Sequence, residues 1–300
     1  CTYCMPVEGM VWQPRDELLT FEEIERLARL MVERYGVDSI RLTGGEPTVR
    51  AHLPRLVSML AGLEVDLAMT TNGTSLPALA APLRDAGLRR VNISLDSLRN
   101  DRFEELTRRD ELPRVLEGID AAIATGFDPV KINVVVMRGA NDDELVEFAR
   151  FGRERGVVVR FIEFMPLDAD RSWTDQSVVS QAEIVERIDE VFPLEAVIRT
   201  SAPASVWRYA DGGGEIGVVA SVTQSFCSSC DRVRFTADGQ FRNCLFATDE
   251  TDMRALLRSG ASDDDLAAAL ERTVAAKWAG HGINQVHFIR PRRSMSQIGG

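Results

Sequence analysis

Apolar residues along this chain alternate between two periods. From Thr20 to Tyr35, Ile24, Leu27, Met31 and Val32 return at helical spacing. Thr20 and Glu23 have the form of a capping box, and Gly36 stands at the stop. The run Ser39 to Thr43 then predicts a strand, which ends in Gly44-Gly45-Glu46-Pro47. The same alternation repeats. Helices are predicted over 53–61, 76–86, 112–125 and 142–155, and strands over 65–70, 90–95, 131–137 and 157–164. Strands rich in Val and Ile alternating with helices make βαβ units on a parallel sheet. No dinucleotide-binding glycine fingerprint follows the first strand. The units run on at barrel-like spacing, so the expected fold is an incomplete α/β barrel with its site at the C-terminal ends of the strands.

After Pro166 the rhythm breaks. A polar loop spans 168–180 and an amphipathic helix 181–191. From about Leu194 come short strands, with Gly212-Gly213-Gly214 as a hairpin turn, and then helices near 252–257 and 263–278. Two domains are expected, 1–195 and 196–300, with the boundary between 195 and 205. Residues 290–300 show no periodicity.

Composition narrows the function classes. The chain has 300 residues, 45% hydrophobic and 27% charged, which is ordinary for a globular protein with a sizeable core. No stretch reaches the ~18 to 20 apolar residues of a membrane helix. A formal charge of −11 argues against a broad nucleic-acid or anionic-membrane surface. A polyanionic ligand would therefore need a local basic pocket. The expected compartment is the cytoplasm. No initiator Met is present, so an upstream segment is expected.

The five cysteines fall in two groups, Cys1 and Cys4, then Cys227, Cys230 and Cys244. Such clustering points to metal binding or catalysis rather than to disulfides. The late group reads either as a zinc ribbon completed by His281 or His287, or as three thiolate ligands of an iron–sulfur cluster with one iron left open. Gly44-Gly45 directly after a strand lets the backbone approach a ligand.

Together these motifs carry a resemblance. Cys1-Thr-Tyr-Cys4-Met-Pro, Gly44-Gly-Glu-Pro and Thr70-Thr-Asn-Gly resemble the radical S-adenosylmethionine enzymes. Cys227-x-x-Cys230-Asp-Arg-Val-Arg234, Cys244 and the terminal Gly299-Gly300 resemble the GTP 3′,8-cyclase family of molybdenum cofactor synthesis. The resemblance implies an incomplete six-stranded radical barrel with a C-terminal α+β extension. It implies two [4Fe-4S] clusters and S-adenosylmethionine as cofactors. Cys1 and Cys4 match the second and third cysteines of the first cluster motif. That motif's first cysteine would lie four residues upstream of Cys1, along with the first barrel strand and an arginine used with GTP. The chain as given is accordingly expected to be inactive by itself.

Further roles follow from the resemblance position by position. Tyr3, Gly45, Ser94 and Met165 match contacts to S-adenosylmethionine. Arg41, Thr70, Lys131, Arg160, Arg232, Val233 and Arg234 match positions around GTP. Arg232, Arg234, Gly299 and Gly300 match the catalytic set, and Cys227, Cys230 and Cys244 match the ligands of the second cluster. Ser39 stands where family members often carry another lysine. The expected partners are GTP, a one-electron donor, a downstream cyclic pyranopterin monophosphate synthase and a second copy of the chain. The residues themselves leave alternatives open. Arg41, Lys131 and Arg160 lie on three strands, and such cations are costly unless something anionic meets them. A triphosphate would serve, and so would Glu46 or Glu163. A peptide-modifying radical enzyme would share both cysteine groups. A zinc-ribbon binding module on an inactive barrel is the rival from another class.

Overall fold

The computed structural model describes residues 1–4, 12–168, 172–197, 203–278, 280, 282–283 and 288–298. Gly299 and Gly300 of the expected catalytic set lie outside the described residues, as do His281 and His287 of the zinc alternative.

The βα units form where the apolar periods place them. Thr20 caps helix α1 (Phe21–Tyr35). Its hydroxyl accepts from the Glu23 N–H at 3.1 Å, and the Glu23 carboxylate accepts from the Thr20 N–H at 2.8 Å. Strands β1 (Ser39–Leu42), β2 (Asp66–Thr71), β3 (Arg90–Ser94), β4 (Val130–Val136) and β5 (Val158–Glu163) pair in parallel, in that order. Helices α2 (Leu53–Ala61), α3 (Leu76–Asp85), α4 (Asn100–Thr107), α5 (Leu112–Ala124), α6 (Leu145–Arg155) and α7 (Gln181–Asp189) accompany them. The apolar pattern does not predict α4, whose buried stripe is only Phe103 and Leu106.

The boundary expected at 195–205 does not divide the sheet. β6 (Leu194–Ala196), β7 (Ser205–Tyr209) and β8 (Glu215–Val219) extend it to the order β1-β2-β3-β4-β5-β8-β7-β6. β8 lies parallel to β5 and is a sixth parallel strand, while β7 pairs antiparallel with β8 on one side and with β6 on the other. The physical reason is the edge of β5. Its row of backbone donors and acceptors needs a partner, and the hairpin at Gly212-Gly213-Gly214 delivers one. A second sheet is smaller. It is a sheet of β9 (Arg234–Phe235), β10 (Gln240–Arg242) and β11 (Thr251–Asp252), with α8 (Met253–Arg258) and α9 (Asp263–Ala275) beside it. Phe241, Met253, Leu266 and Leu270 of this unit form one core with Leu27, Leu30 and Met31 of α1. A last helical turn, α10 (Met295–Ile298), appears where no period is predicted. Gln297 starts it by accepting from the Ser294 N–H at 3.0 Å. Among the described residues no helix is long and apolar enough to cross a membrane.

Helices pack on one face of the main sheet, and the alternation within each strand decides what the other face carries. On β4, Val130, Ile132, Val134 and Val136 are buried in the main core, while Lys131, Asn133 and Val135 are half-buried on the opposite side. The register aligns Arg41 with Ala68 and Arg90, Thr70 with Asn92 and Lys131, and Ser94 with Asn133 and Arg160. The face turned away from the helices is therefore polar and cationic.

Helix α5 crosses the end of β2 at the closest approach its side chains allow. A Cβ added at Gly118 would lie 2.2 Å from the Gly73 carbonyl oxygen. Gly73 itself has φ +82°, so neither backbone can give way cheaply. Gly118→Ala is expected to destabilise the fold by about 1–3 kcal/mol, read as a lower urea midpoint at unchanged slope.

Candidate active site

The first cysteine pair is held by a buried carboxylate at the end of β3. Cys1 to Cys4 form a tight turn, closed by the Cys4 N–H to the Cys1 carbonyl at 3.0 Å. Asp96 is 2% exposed and accepts from the Tyr3 hydroxyl at 2.7 Å. Its other oxygen accepts from the Val135 N–H at 2.9 Å, and the Cys1 thiol lies 3.8 Å from the carboxylate. Burial raises the Asp96 carboxyl above its ordinary value, against hydrogen bonds from Tyr3 and Val135 that lower it. Burial likewise pushes the Cys4 thiol up. Tyr3 and Met165 line one apolar cleft with Val135, Phe164, Leu167 and Met295. Two of the four expected S-adenosylmethionine contacts thus share one wall. Ser94 is half-buried at the end of β3, and Gly45 follows β1.

The Gly44-Gly45-Glu46-Pro47 turn is tied to the next strand by Glu46. Its carboxylate accepts from the Thr48 N–H at 3.0 Å and from the hydroxyls of Thr48 and Thr71 at 2.7 Å each. It also accepts from the Asn72 N–H at 2.7 Å. Glu163, wholly buried, accepts from the N–H groups of Gln181, Val222 and Thr223 and from the Thr223 hydroxyl. Both carboxylates proposed as ion-pair partners are fully engaged elsewhere.

The cations have each other for neighbours. Burial, then Arg41 and Arg90, pulls the Arg160 guanidinium down to about 10. Burial, then Arg160, pulls the Lys131 ammonium down to about 8, with Glu215 acting the other way. Burial, then Arg232, pulls Arg234 down to about 10. Arg41 is more open to solvent, and loss of solvent around its charge, then Arg90 and Arg232, lower it as well. Arg41 and Arg160 sit on strands four spacings apart, ~19 Å in a flat sheet. Both lie on the polar face of the sheet, and the charge of Arg41 still acts on Arg160. Among the described residues none of Arg41, Lys131, Arg160, Arg232 and Arg234 forms an ion pair, and the buried Arg234 Nε has no hydrogen-bond partner. Arg90 does have a partner, Asp66.

The late cysteines lie beside this cationic group. Cys227 opens a 3-10 turn whose last N–H, from Cys230, returns to the Cys227 carbonyl at 3.2 Å. Cys244 follows β10, and its sulfur accepts from the Phe246 N–H at 3.4 Å. Burial pushes the Cys230 thiol up, but the Arg232 N–H and charge, with Lys277, outweigh it and leave the thiol below its ordinary value. Lys277 Nζ donates to the carbonyls of Cys230 at 2.7 Å and Arg232 at 3.0 Å. Arg232 stacks over Phe226 at 4.8 Å. Both Cys230 and Cys244 act electrostatically on Arg234. All three are half-buried free thiols, and this cation-flanked donor set suits thiolate ligation. Among the described residues, no three metal-ligating side chains close round a common point.

The structure therefore brings Arg41, Lys131, Arg160, Arg232 and Arg234 into one electrostatic group, and Tyr3 and Met165 into one cleft. Thr70 lies on the same strand face and accepts from Asn92 at 3.2 Å. Val233 packs partly against the second core. Asp96, Arg90, Asn133 and Lys277 were not singled out from the sequence. Asp96 stands just past the end of a strand in the sequence, and only its burial against Tyr3 marks it. Asn133 has a buried side-chain oxygen without a partner on the cationic face, one strand from Arg160.

Comparison with known proteins agrees with this layout. Residues 1–152 match the model of the Radical SAM superfamily, and residues 157–283 match that of Molybdenum Cofactor Synthesis C. A GTP 3′,8-cyclase of Mycolicibacterium smegmatis is 47% identical over 308 residues, covering 100% of this chain and 85% of its own length. Relatives of the same name from Rhodopirellula baltica and Streptomyces coelicolor are each 47% identical, covering 100% of this chain and 86% and 89% of their own lengths. Among solved structures, methylornithine synthase aligns over 90% of this chain and 81% of its own, with a TM-score of 0.51 and 17% identity, a likeness of fold alone. Free thiols in two groups, a mostly parallel sheet with a cationic face and relatives that match the whole of this chain make it an enzyme of the radical SAM superfamily that belongs to the GTP 3′,8-cyclase family.

Proposed function

We propose that this enzyme converts GTP to (8S)-3′,8-cyclo-7,8-dihydroguanosine 5′-triphosphate, the first step of molybdenum cofactor synthesis, with S-adenosylmethionine as co-substrate. The observation that carries the reading is the unpaired cationic face. Lys131, Arg160 and Arg234 are depressed by burial and by neighbouring cations, and Glu46 and Glu163, the carboxylates the sequence offered as partners, are committed elsewhere. Buried cations without partners are costly, and a triphosphate removes that cost on binding. Arg41, Lys131 and Arg160 would anchor the phosphates, the arginines through their planar forks. Thr70 would lie along the same nucleotide, with Arg232, Val233 and Arg234 at its far end.

Superfamily membership implies a [4Fe-4S] cluster, and the half-buried free thiols of Cys1 and Cys4 suit it. When bound, the cluster and S-adenosylmethionine supply the electron and the carbon radical that take hydrogen from the substrate. Tyr3, Gly45, Ser94 and Met165 would hold S-adenosylmethionine, the apolar cleft keeping water from it. Cys227, Cys230 and Cys244 would hold a second [4Fe-4S] cluster facing the guanine. Gly299 and Gly300, a one-electron donor, a downstream pyranopterin synthase and a homodimer complete the reading. The full-length enzyme, carrying the upstream cysteine, reconstituted anaerobically with iron and sulfide and supplied with dithionite and S-adenosylmethionine, is expected to convert GTP to the cyclised nucleotide. Turnover of a peptide with GTP untouched would overturn the reading.

A further inference from the structure

The segment from Phe288 to Ile298 touches both cysteine loops. Phe288 packs edge-on against Phe246, with 6.0 Å between centroids, two residues beyond Cys244. Met295 lines the cleft with Tyr3 and Met165. Ser296, next to it, is buried and lies beside Cys4. Ile298 is 3% exposed. One stretch of chain thus bridges from the loop after β10 to the loop before α1.

Two arginines hold this stretch. Arg290 donates to the buried Asp168 at 3.3 Å and to the Trp173 carbonyl at 3.3 Å. Arg293 makes the stronger attachment. Its two terminal nitrogens meet the two Asp238 oxygens at 3.1 and 2.8 Å, and its Nε meets Glu250 at 3.0 Å. Glu250 is also paired with the buried Arg242 of β10. A bidentate fork fixes direction as well as distance, which a single-point cation does not. Arg293 itself lies neither in the cleft nor among the lining residues.

We propose that Arg293 is a positioning residue, which pins residues 288–298 to the three-stranded sheet and so sets the separation between the two cysteine loops. This rests on the reading that both loops serve one substrate. Loosening the brace would leave each loop intact but misplace them relative to one another, and a shift of about 1 Å at a reacting centre costs on the order of 100-fold in rate.

The test is hydrogen exchange on the reconstituted enzyme, combined with the ratio of cyclised nucleotide to S-adenosylmethionine cleaved. Arg293→Ala is expected to lose protection over residues 288–298 and to lower that ratio at least about 10-fold while cleavage continues. Arg293→Lys should restore the ratio only in part, and Asp238→Asn should reproduce the uncoupling if Arg293→Ala fails to fold. The proposal is overturned if residues 288–298 stay protected, or if product and cleavage fall together. If the unaltered enzyme leaves GTP unchanged, the functional reading fails, while the exchange result still decides whether Arg293 holds the segment.

Discussion

Arg160→Met is expected to make the nucleotide-free protein more stable and the nucleotide complex weaker. Arg160 is half-buried on β5, with Arg41 and Arg90 as charged neighbours and, among the described residues, no ion pair. Replacing such a charge with an apolar side chain of similar length removes repulsion and desolvation together. Each kcal/mol gained should raise Tm by about 2–4 °C. A hydrogen bond to a charged group contributes about 1.5–3 kcal/mol, so GTP should bind roughly 10- to 150-fold more weakly. Calorimetry and thermal melts with and without GTP check both halves. Arg160→Lys keeps the charge but loses the fork, and should fall between. Lys131 adds a pH arm. Its pKa is depressed from 10.5 to about 8, so the strain of its charge is fully present below about 8 and is relieved progressively as pH rises from 8 toward 10.5. The free protein should therefore gain stability from pH 7 to 9 while its affinity for GTP falls. An Arg160→Met protein with unchanged melting and unchanged GTP affinity would remove Arg160 from the phosphate site.

Cys227→Ser is expected to separate two chemistries. It should lower the iron bound by the reconstituted enzyme by about four atoms per chain, since a serine hydroxyl does not replace the thiolate. Cyclised nucleotide should fall to background while some cleavage of S-adenosylmethionine survives. Cys1→Ser should abolish the cleavage itself. The two loops differ in the structure as this contrast requires. Cys1 and Cys4 sit against Asp96 and the Tyr3–Met165 cleft, whereas Cys230 sits against Arg232 and Lys277. Iron analysis and product chromatography make the test. Full product from Cys227→Ser, or zinc in place of iron at that site, would rule out the second cluster.

The helices and first five parallel strands were legible in the sequence because each depends on neighbours a few residues away. Thr20 and Glu23 cap α1 within one turn. The cationic residues were legible as candidates for the same reason, standing at alternate positions of apolar strands. The family was legible in two cysteine groups and a glycine turn. Long-range pairing was not. Nothing local to Glu215–Val219 says that it will join β5, since both an isolated hairpin and a sheet extension satisfy the same alternation. Nothing local to Glu46 or Glu163 says that hydroxyls and backbone N–H groups, rather than arginines, will claim them.

The order of elements, the parallel class of the sheet and the kinds of chemistry available were thus determined by residue type and spacing alone. Tertiary structure decided which groups meet. Strand register set Arg41 on the same sheet face as Arg160, burial made Asp96 the anchor of Tyr3, and the Arg293 fork laid an aperiodic tail across both cysteine loops. Each of these contacts spans more than 50 residues of chain, a separation over which side-chain periodicity carries no information.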